Sequence, residues 1–230
     1  MTGALLLCLD TSTPTARVAI LDLDGQARFS AEVTADRHAG HLMPLCAEAL
    51  RAAGVAAADL AGIACGGGPG SFTGLRVGLA AAKGMALATG VALHVVSSLE
   101  ALAADMLAAS PGATAVPCLD AGKGEVYVAA YRADPARLVR EVAASARLRP
   151  EDVAGWAAAL AGPTQLAGNG AARHPERLGG LTVVQAAGPS AVSVGRLALL
   201  QRARGESADL ASAVPFYGRP PDITTKKKPV

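Results

Sequence analysis

Three groups of residues in this chain have the types and spacing to do chemistry. Asp10-Thr11-Ser12-Thr13 follows one apolar run, and Asp120-Ala121-Gly122-Lys123-Gly124 follows another. A carboxylate beside hydroxyls or a lysine in a tight turn can belong to a nucleotide site. It can equally hold the backbone of its own turn, as Asx residues commonly do. The third group is Gly66-Gly67-Gly68-Pro69-Gly70-Ser71-Phe72-Thr73-Gly74, between the apolar run Leu60–Cys65 and an alanine-rich helical pattern reaching Ala88. A strand entering a glycine loop and then a helix offers bare N–H groups and a positive helix end to an anion. The standard phosphate loops do not fit it. Lys83 lies too far into the helix for a Walker A motif and is followed by Gly84, and the third glycine of the dinucleotide fingerprint is missing. Ser71 is no nucleophile elbow, because Thr73 stands where the final glycine belongs; Ser71 or Thr73 is expected to cap the helix.

His38 and His41 are spaced to share one helical face. A zinc or iron site needs a third protein ligand, for which Asp36 and Glu48 are poor candidates, so a helix-start or interface role is expected. The cysteines (Cys8, Cys46, Cys65, Cys118) form no CxxC pair and sit in apolar segments, which points to buried thiols.

The elements that carry these residues read in order. Strands are expected at Leu5–Leu9, Ala16–Leu21 and Ala27–Val33, with a hairpin turn at Asp24-Gly25. A helix from Leu42 to Ala53 is closed by Gly54. Then come a strand at Ile63, the glycine loop, a helix over Gly74–Ala88, a strand at Ala92–Val96 and a helix to Ala109. After Ser110-Pro111-Gly112 the pattern restarts: Cys118-Leu119-Asp120-Ala121 echoes Cys8-Leu9-Asp10-Thr11, and Glu125–Val128 echoes Arg17–Ile20. Such self-similarity implies duplication. Two halves that each open strand–Asp–turn–strand have the layout of the two-lobed, actin-like or sugar-kinase-like α/β ATPase fold, built of RNase H-like lobes. The expected division is 1–109 for the first lobe, 110–219 for the second and 220–230 for a flexible basic tail.

The segment GPGSFTGLRVGLAAAKGMA closely resembles the signature of the TsaB (YeaZ) family. LCLDTSTPTARVAI, HAGHLMPL, LDAGKGEVYVAAY and PFYGR extend the resemblance from about residue 5 to about residue 219. It implies the actin-like fold with a degenerate active site. It also implies a cytoplasmic, non-catalytic subunit with no cofactor, which binds TsaD, the subunit that forms N6-threonylcarbamoyladenosine beside tRNA anticodons. A TsaE ATPase would join the assembly, and tRNA would be met through the complex. TsaD carries a His-x-x-x-His metal pair where this chain has Ser98 and Leu102, so no metal is expected. The same absence weakens the analogy of this group to metallopeptidases.

Asp10, Thr11, Ser12 and Asp120 are then the remnant of a nucleotide site. The family's partner interface maps onto His41, Leu42, Leu45 and Ala49 of the first helix, and onto Gly74, Arg76, Gly78, Leu79 and Lys83 of the second. Glycine inside a helix costs about 1 kcal/mol against alanine, which Gly78 and Gly84 would recover if a second backbone approached closely. The free chain would self-associate through the same helices. One rival is an active kinase or hydrolase using Asp10 and Asp120; another is a module that binds tRNA directly.

Bulk properties bear on the rivals. Net charge is +2, of which Lys226, Lys227 and Lys228 supply +3, leaving the body near neutral, and aromatics are only 3%. Both argue against an autonomous nucleic-acid surface. The 51% hydrophobic content reflects alanine, and the longest apolar stretch, Val77–Val96, is interrupted by Lys83 and His94, so no membrane span is expected. Leu5-Leu6-Leu7 lacks a preceding basic region and is ended by Asp10, unlike a signal peptide.

Overall fold

The computed structural model describes residues 4–34 and 40–217. His38, Asp36 and the basic tail lie outside the described residues.

Two five-stranded sheets repeat one plan. In the first, the order is β3-β2-β1-β4-β5, with β1 (Leu5–Asp10), β2 (Thr15–Asp22), β3 (Ala27–Thr34), β4 (Leu60–Gly66) and β5 (Leu93–Val96). In the second, it is β10-β9-β6-β7-β8, with β6 (Thr114–Gly122), β7 (Glu125–Asp134), β8 (Leu138–Leu148), β9 (Thr164–Ala167) and β10 (Thr182–Val183). Each has an antiparallel three-strand meander, and β4 and β5, like β9 and β10, join in parallel. The echo in the sequence is therefore a structural repeat.

The central strands are buried on both faces, which is why they read as unbroken apolar runs. Every residue of β1 is buried. Its side chains alternate across the sheet. Leu5, Leu7 and Leu9 pack with α1 (Leu42–Ala53) and α2 (Phe72–Thr89), whereas Leu6 and Cys8 pack with α6 (Ala191–Ala203). The other sheet divides likewise. Leu119, Tyr127 and Tyr131 meet α3 (Ser98–Ala109), and Cys118, Val126 and Val128 pack on the opposite face with Val153 of α4 (Val153–Ala157) and Ala171 of α5 (Asn169–Arg173).

One feature departs from the sequence-based division at residue 109. That boundary separates the sheets but not the helices. α3, from the first half, lies on β6, β7 and β8, and α6, from the second half, lies on β1, β2, β4 and β5. Asp105 fastens the two where they cross: its carboxylate accepts from the Ser190 amide and hydroxyl and from the Ser193 hydroxyl, at 2.6–2.7 Å. Residues 208–216 then return over the first sheet. The Ala208 amide bonds to the Leu93 carbonyl and the Phe216 amide to the Gly67 carbonyl, with Ala208, Leu210 and Ala213 on the core.

A fragment of residues 1–109 should not fold by itself, because the Leu6, Cys8 and Leu21 face would lose Val194, Leu197 and Ala198. Its amide NMR spectrum should be poorly dispersed, and adding residues 110–230 should restore dispersion. A well-dispersed spectrum from the fragment alone would contradict the exchange of helices.

His94 on β5 is 1% exposed, and neither ring nitrogen makes a hydrogen bond of ordinary geometry among the described residues. Burial, then the Arg202 charge, holds its pKa below the usual 6.5, against an opposing pull from the Glu206 backbone. Above pH 6.5 both folded and unfolded chains carry it neutral. As pH falls through 6.5 the unfolded chain takes up a proton that the folded chain resists, so folding stability falls. Urea titrations at pH 7.5 and pH 5.5 should show this loss, and it should shrink in His94→Gln.

Candidate functional site

The residues singled out for chemistry do converge, and they hold one another. β1 ends at Asp10, which is fully buried together with Thr11, Ser12 and Thr13. Asp10 Oδ1 accepts from the Ser12 amide at 2.9 Å and from the Ser12 hydroxyl at 2.6 Å. Oδ2 accepts from the Ser98 hydroxyl at 2.9 Å, and Ser98 Oγ in turn accepts from the Gly68 amide at 3.2 Å. Burial pushes the Asp10 carboxyl above its ordinary range, opposed first by the Ser12 bonds and then by Ser98 and the Arg17 charge. Both carboxylate oxygens thus accept hydrogen bonds from within the chain, from Ser12 on one and Ser98 on the other.

Local sequence explains the geometry. β4 runs beside β1 and ends at Gly66, where an added Cβ would lie 1.9 Å from Asp10 Oδ2. Only glycine leaves room for the carboxylate there. The loop that follows has a cis Gly68-Pro69 bond, and the Ser71 amide donates to the Ser12 carbonyl at 2.7 Å. Ser71 is the N-cap of α2, accepting from the Gly74 amide at 3.2 Å, as the sequence suggested. Ser98 is fully buried on Asp10, and Leu102 is fully buried in the core of the second sheet.

Asp120 occupies the equivalent place in the repeat. Its Oδ1 accepts from the Gly122 amide at 3.1 Å, two residues on, as Asp10 does from Ser12, and its Oδ2 pairs with Arg173 at 2.7 Å. Lys123 and Gly124 form the two-residue hairpin loop, both at positive φ, as a type I′ turn requires. The kinase or hydrolase reading therefore finds each aspartate engaged by its own turn and by one more side chain.

The helix residues need a correction. Leu42, Leu45, Ala49, Gly74, Gly78 and Leu79 were expected on a surface for a partner, but all are buried in the chain's own core. α1 covers β2 and β3 while α2 covers β1 and β4, and their apolar stripes are spent there. Gly78 has its close neighbour inside the chain: an added Cβ would lie 2.1 Å from Thr11 Oγ1, which donates to the Gly74 carbonyl at 2.8 Å. Lys83 is tied to the Ala213 carbonyl at 2.9 Å. Of the expected set, His41 and Arg76 are exposed.

The surface that α1 and α2 leave open is the opposite one. It carries Met43, Pro44 and Ala47 on α1, and Phe72, Arg76, Ala80, Gly84 and Leu87 on α2. Phe72 stacks on Tyr217 with ring centroids 4.7 Å apart, and the Arg76 guanidinium lies 5.4 Å from the Phe72 ring centre. Gly84 has open space where Gly78 has none. Reading α2 at i, i+4 from Phe72 (Arg76, Ala80, Gly84) would have found this face.

A family model described as TsaD, tRNA N6-adenosine threonylcarbamoyltransferase, matches residues 29–215. The chain is 29% identical to the tRNA threonylcarbamoyladenosine biosynthesis protein TsaB of Escherichia coli K12, over 97% of this chain and 98% of that one. It superposes on the crystal structure of YeaZ from Pseudomonas aeruginosa with a TM-score of 0.79 and 31% identity, covering 93% of this chain and 99% of that one. The chain belongs to the TsaB (YeaZ) family. Similarity to the ethanolamine utilization protein EutJ of Carboxydothermus hydrogenoformans (TM-score 0.53, 15% identity, 87% of this chain and 91% of that one) extends to fold alone. For the family's architecture, the exchange of α3 and α6 and the closed Asp10 turn describe how this member builds it. Among the described residues no helix is long and apolar enough to cross a membrane.

Replacing Asp10 by Ala should strand the Ser12 and Ser98 hydroxyls, each unsatisfied buried group costing about 1–3 kcal/mol. The melting temperature should fall by several degrees, and Asp120→Ala, at a more exposed site, should cost less. Equal effects would mean that the Asp10 network is not the tighter of the two.

Proposed function

We propose that this chain serves the formation of N6-threonylcarbamoyladenosine on tRNA as a non-catalytic subunit. It binds and supports a TsaD-like catalytic partner, with a TsaE-like ATPase in the same assembly and tRNA met through the complex. Membership of the TsaB family supports the pathway. The partner role rests on one observation: α1 and α2, which cover one face of the first sheet, leave large apolar side chains exposed. Met43 is 47% exposed, Phe72 47% and Leu87 77%. Large apolar side chains left exposed on helices that share one face of a sheet are a feature of interaction surfaces. Arg76 on the Phe72 ring adds a residue type favoured at the centre of interfaces. Small Ala80 and open Gly84 let a facing helix come close. In the absence of TsaD, two copies of the chain would meet through this face.

The non-catalytic assignment draws on the Asp10 turn, whose fully buried carboxylate accepts from Ser12 and Ser98. It works as a brace for the glycine loop and for the start of α3. The two lobes, taken as 1–109 and 110–219 with α3 and α6 exchanged, then form a scaffold that holds α1 and α2 in register.

Phe72→Asp and Leu87→Asp should weaken binding to the cognate TsaD by at least about tenfold, since a few central residues dominate such interfaces. Their melting temperatures should stay near that of the wild type. Leu45→Glu and Leu79→Glu, which bury a charge in the chain's own core, should instead lower the melting temperature sharply. Normal TsaD binding by the folded Phe72 and Leu87 variants would move the interface elsewhere. Transfer of threonylcarbamoyl to tRNA by the lone chain would end the non-catalytic reading.

A further inference from the structure

Beyond α6 the chain runs back over the first sheet as a strap from Ala208 to Tyr217. The Ala208 amide donates to the Leu93 carbonyl at 2.8 Å on the edge strand β5. Lys83, in the second half of α2, donates to the Ala213 carbonyl at 2.9 Å. The Phe216 amide donates to the Gly67 carbonyl at 2.8 Å, ahead of the start of α2. The strap therefore passes along α2 against its direction and finishes beside Phe72.

The end of the strap meets two parts of the molecule at once. Phe216 lines a cleft together with Tyr131 and Val139 of the second sheet. Tyr217, half-buried, sets its ring 4.7 Å from that of Phe72, tilted by 34°. The Arg76 guanidinium lies 5.4 Å from the same Phe72 ring centre. The Tyr217 carbonyl accepts from the Tyr127 hydroxyl at 2.6 Å, and Tyr127 sits on β7 with only 4% exposure. One residue thus touches α2 through its ring and the second sheet through its carbonyl. Phe72 stays 47% exposed with Tyr217 against it, so Tyr217 supports the ring and does not cover it. A side chain that must be ordered on docking weakens an interface by about two- to tenfold, and one held in advance avoids that loss.

We propose, on the reading of α1 and α2 as the site for a TsaD-like partner, that Tyr217 is a positioning residue for that face. It fixes the Phe72 ring, and Arg76 with it, in the arrangement that the partner meets. The Tyr127 hydroxyl anchors Tyr217 from the second lobe, so the face depends on how the two lobes sit together. The dependence is reciprocal: what holds the strap favours docking, and docking holds the strap.

The test uses the full chain and its cognate TsaD, with binding measured by calorimetry and the free chain followed by NMR and hydrogen exchange. Tyr217→Ala should shift the Phe72 ring protons and weaken TsaD binding by about two- to tenfold, while the melting temperature stays near that of the wild type. Tyr217→Phe, which keeps the ring, should restore both. Tyr127→Phe should speed exchange of the Phe216 amide in the free chain and weaken binding in the same direction. TsaD should slow exchange of that amide in the wild type. Unchanged or tighter binding by Tyr217→Ala, beside weakened binding by Leu87→Asp, would overturn this proposal alone; tighter binding would make Tyr217 a cover. Normal binding by both variants would remove the partner reading and this proposal together.

Discussion

A carboxylate buried at the end of β1 decides how the first half of this molecule fits together. Asp10 is surrounded by its own turn, by the glycine that ends β4 and by the first residue of α3. Removing an aspartate from water is costly, and the cost is met by hydrogen bonds rather than by a cation in direct contact. Everything nearby is shaped by that need. Gly66 has no side chain because the carboxylate takes its space, Ser98 is a serine because Oδ2 needs a donor, and the loop amide of Gly68 completes the chain of bonds. The Asp10 carboxylate thus holds three backbone segments in place.

The second organising constraint is the exchange of helices. Each sheet must cover two apolar faces, and neither half of the chain supplies all its own cover. α6 closes the Leu6 and Cys8 face, α3 closes the Leu119 and Tyr127 face, and Asp105 joins the helices through Ser190 and Ser193. The returning segment adds a further tie, for Tyr127 of the second sheet donates to the Tyr217 carbonyl while Tyr217 stacks on Phe72 of α2. The lobes are thus linked at two separated places, and the cleft lined by Leu99, Val139 and Leu200 lies between them.

Much of this was legible from the residues. The central strands announced themselves as runs such as Leu5–Leu9, because burial on both faces leaves no polar alternation. Gly54 and Gly25, both at positive φ, marked a helix end and a hairpin, and the paired aspartates marked the repeat. What stayed hidden was which side of each helix faces inward. α2 is so rich in alanine and glycine that its two sides look alike, and Gly78 and Gly84 read as equivalent although one presses on Thr11 and the other faces open space. The stripe Leu42, Leu45, Ala49 is apolar because it is the core stripe, and the exposed residues lie on its reverse. The exchange of α3 and α6 was equally invisible, because a helix that buries one face carries no mark of which sheet it covers.

That exchange also sets the order in which the protein can be completed as it is made. β1 to β5 leave the ribosome early, but the helix that seals their second face begins at Ala191, some 95 residues after β5 ends at Val96. At typical synthesis rates this interval is roughly 5 to 20 s. Through that time an apolar sheet face stands uncovered in a nascent chain, open to chaperones and to other nascent copies. A repeat that looks like two independent halves is finished only as a single event, once α6 has been made.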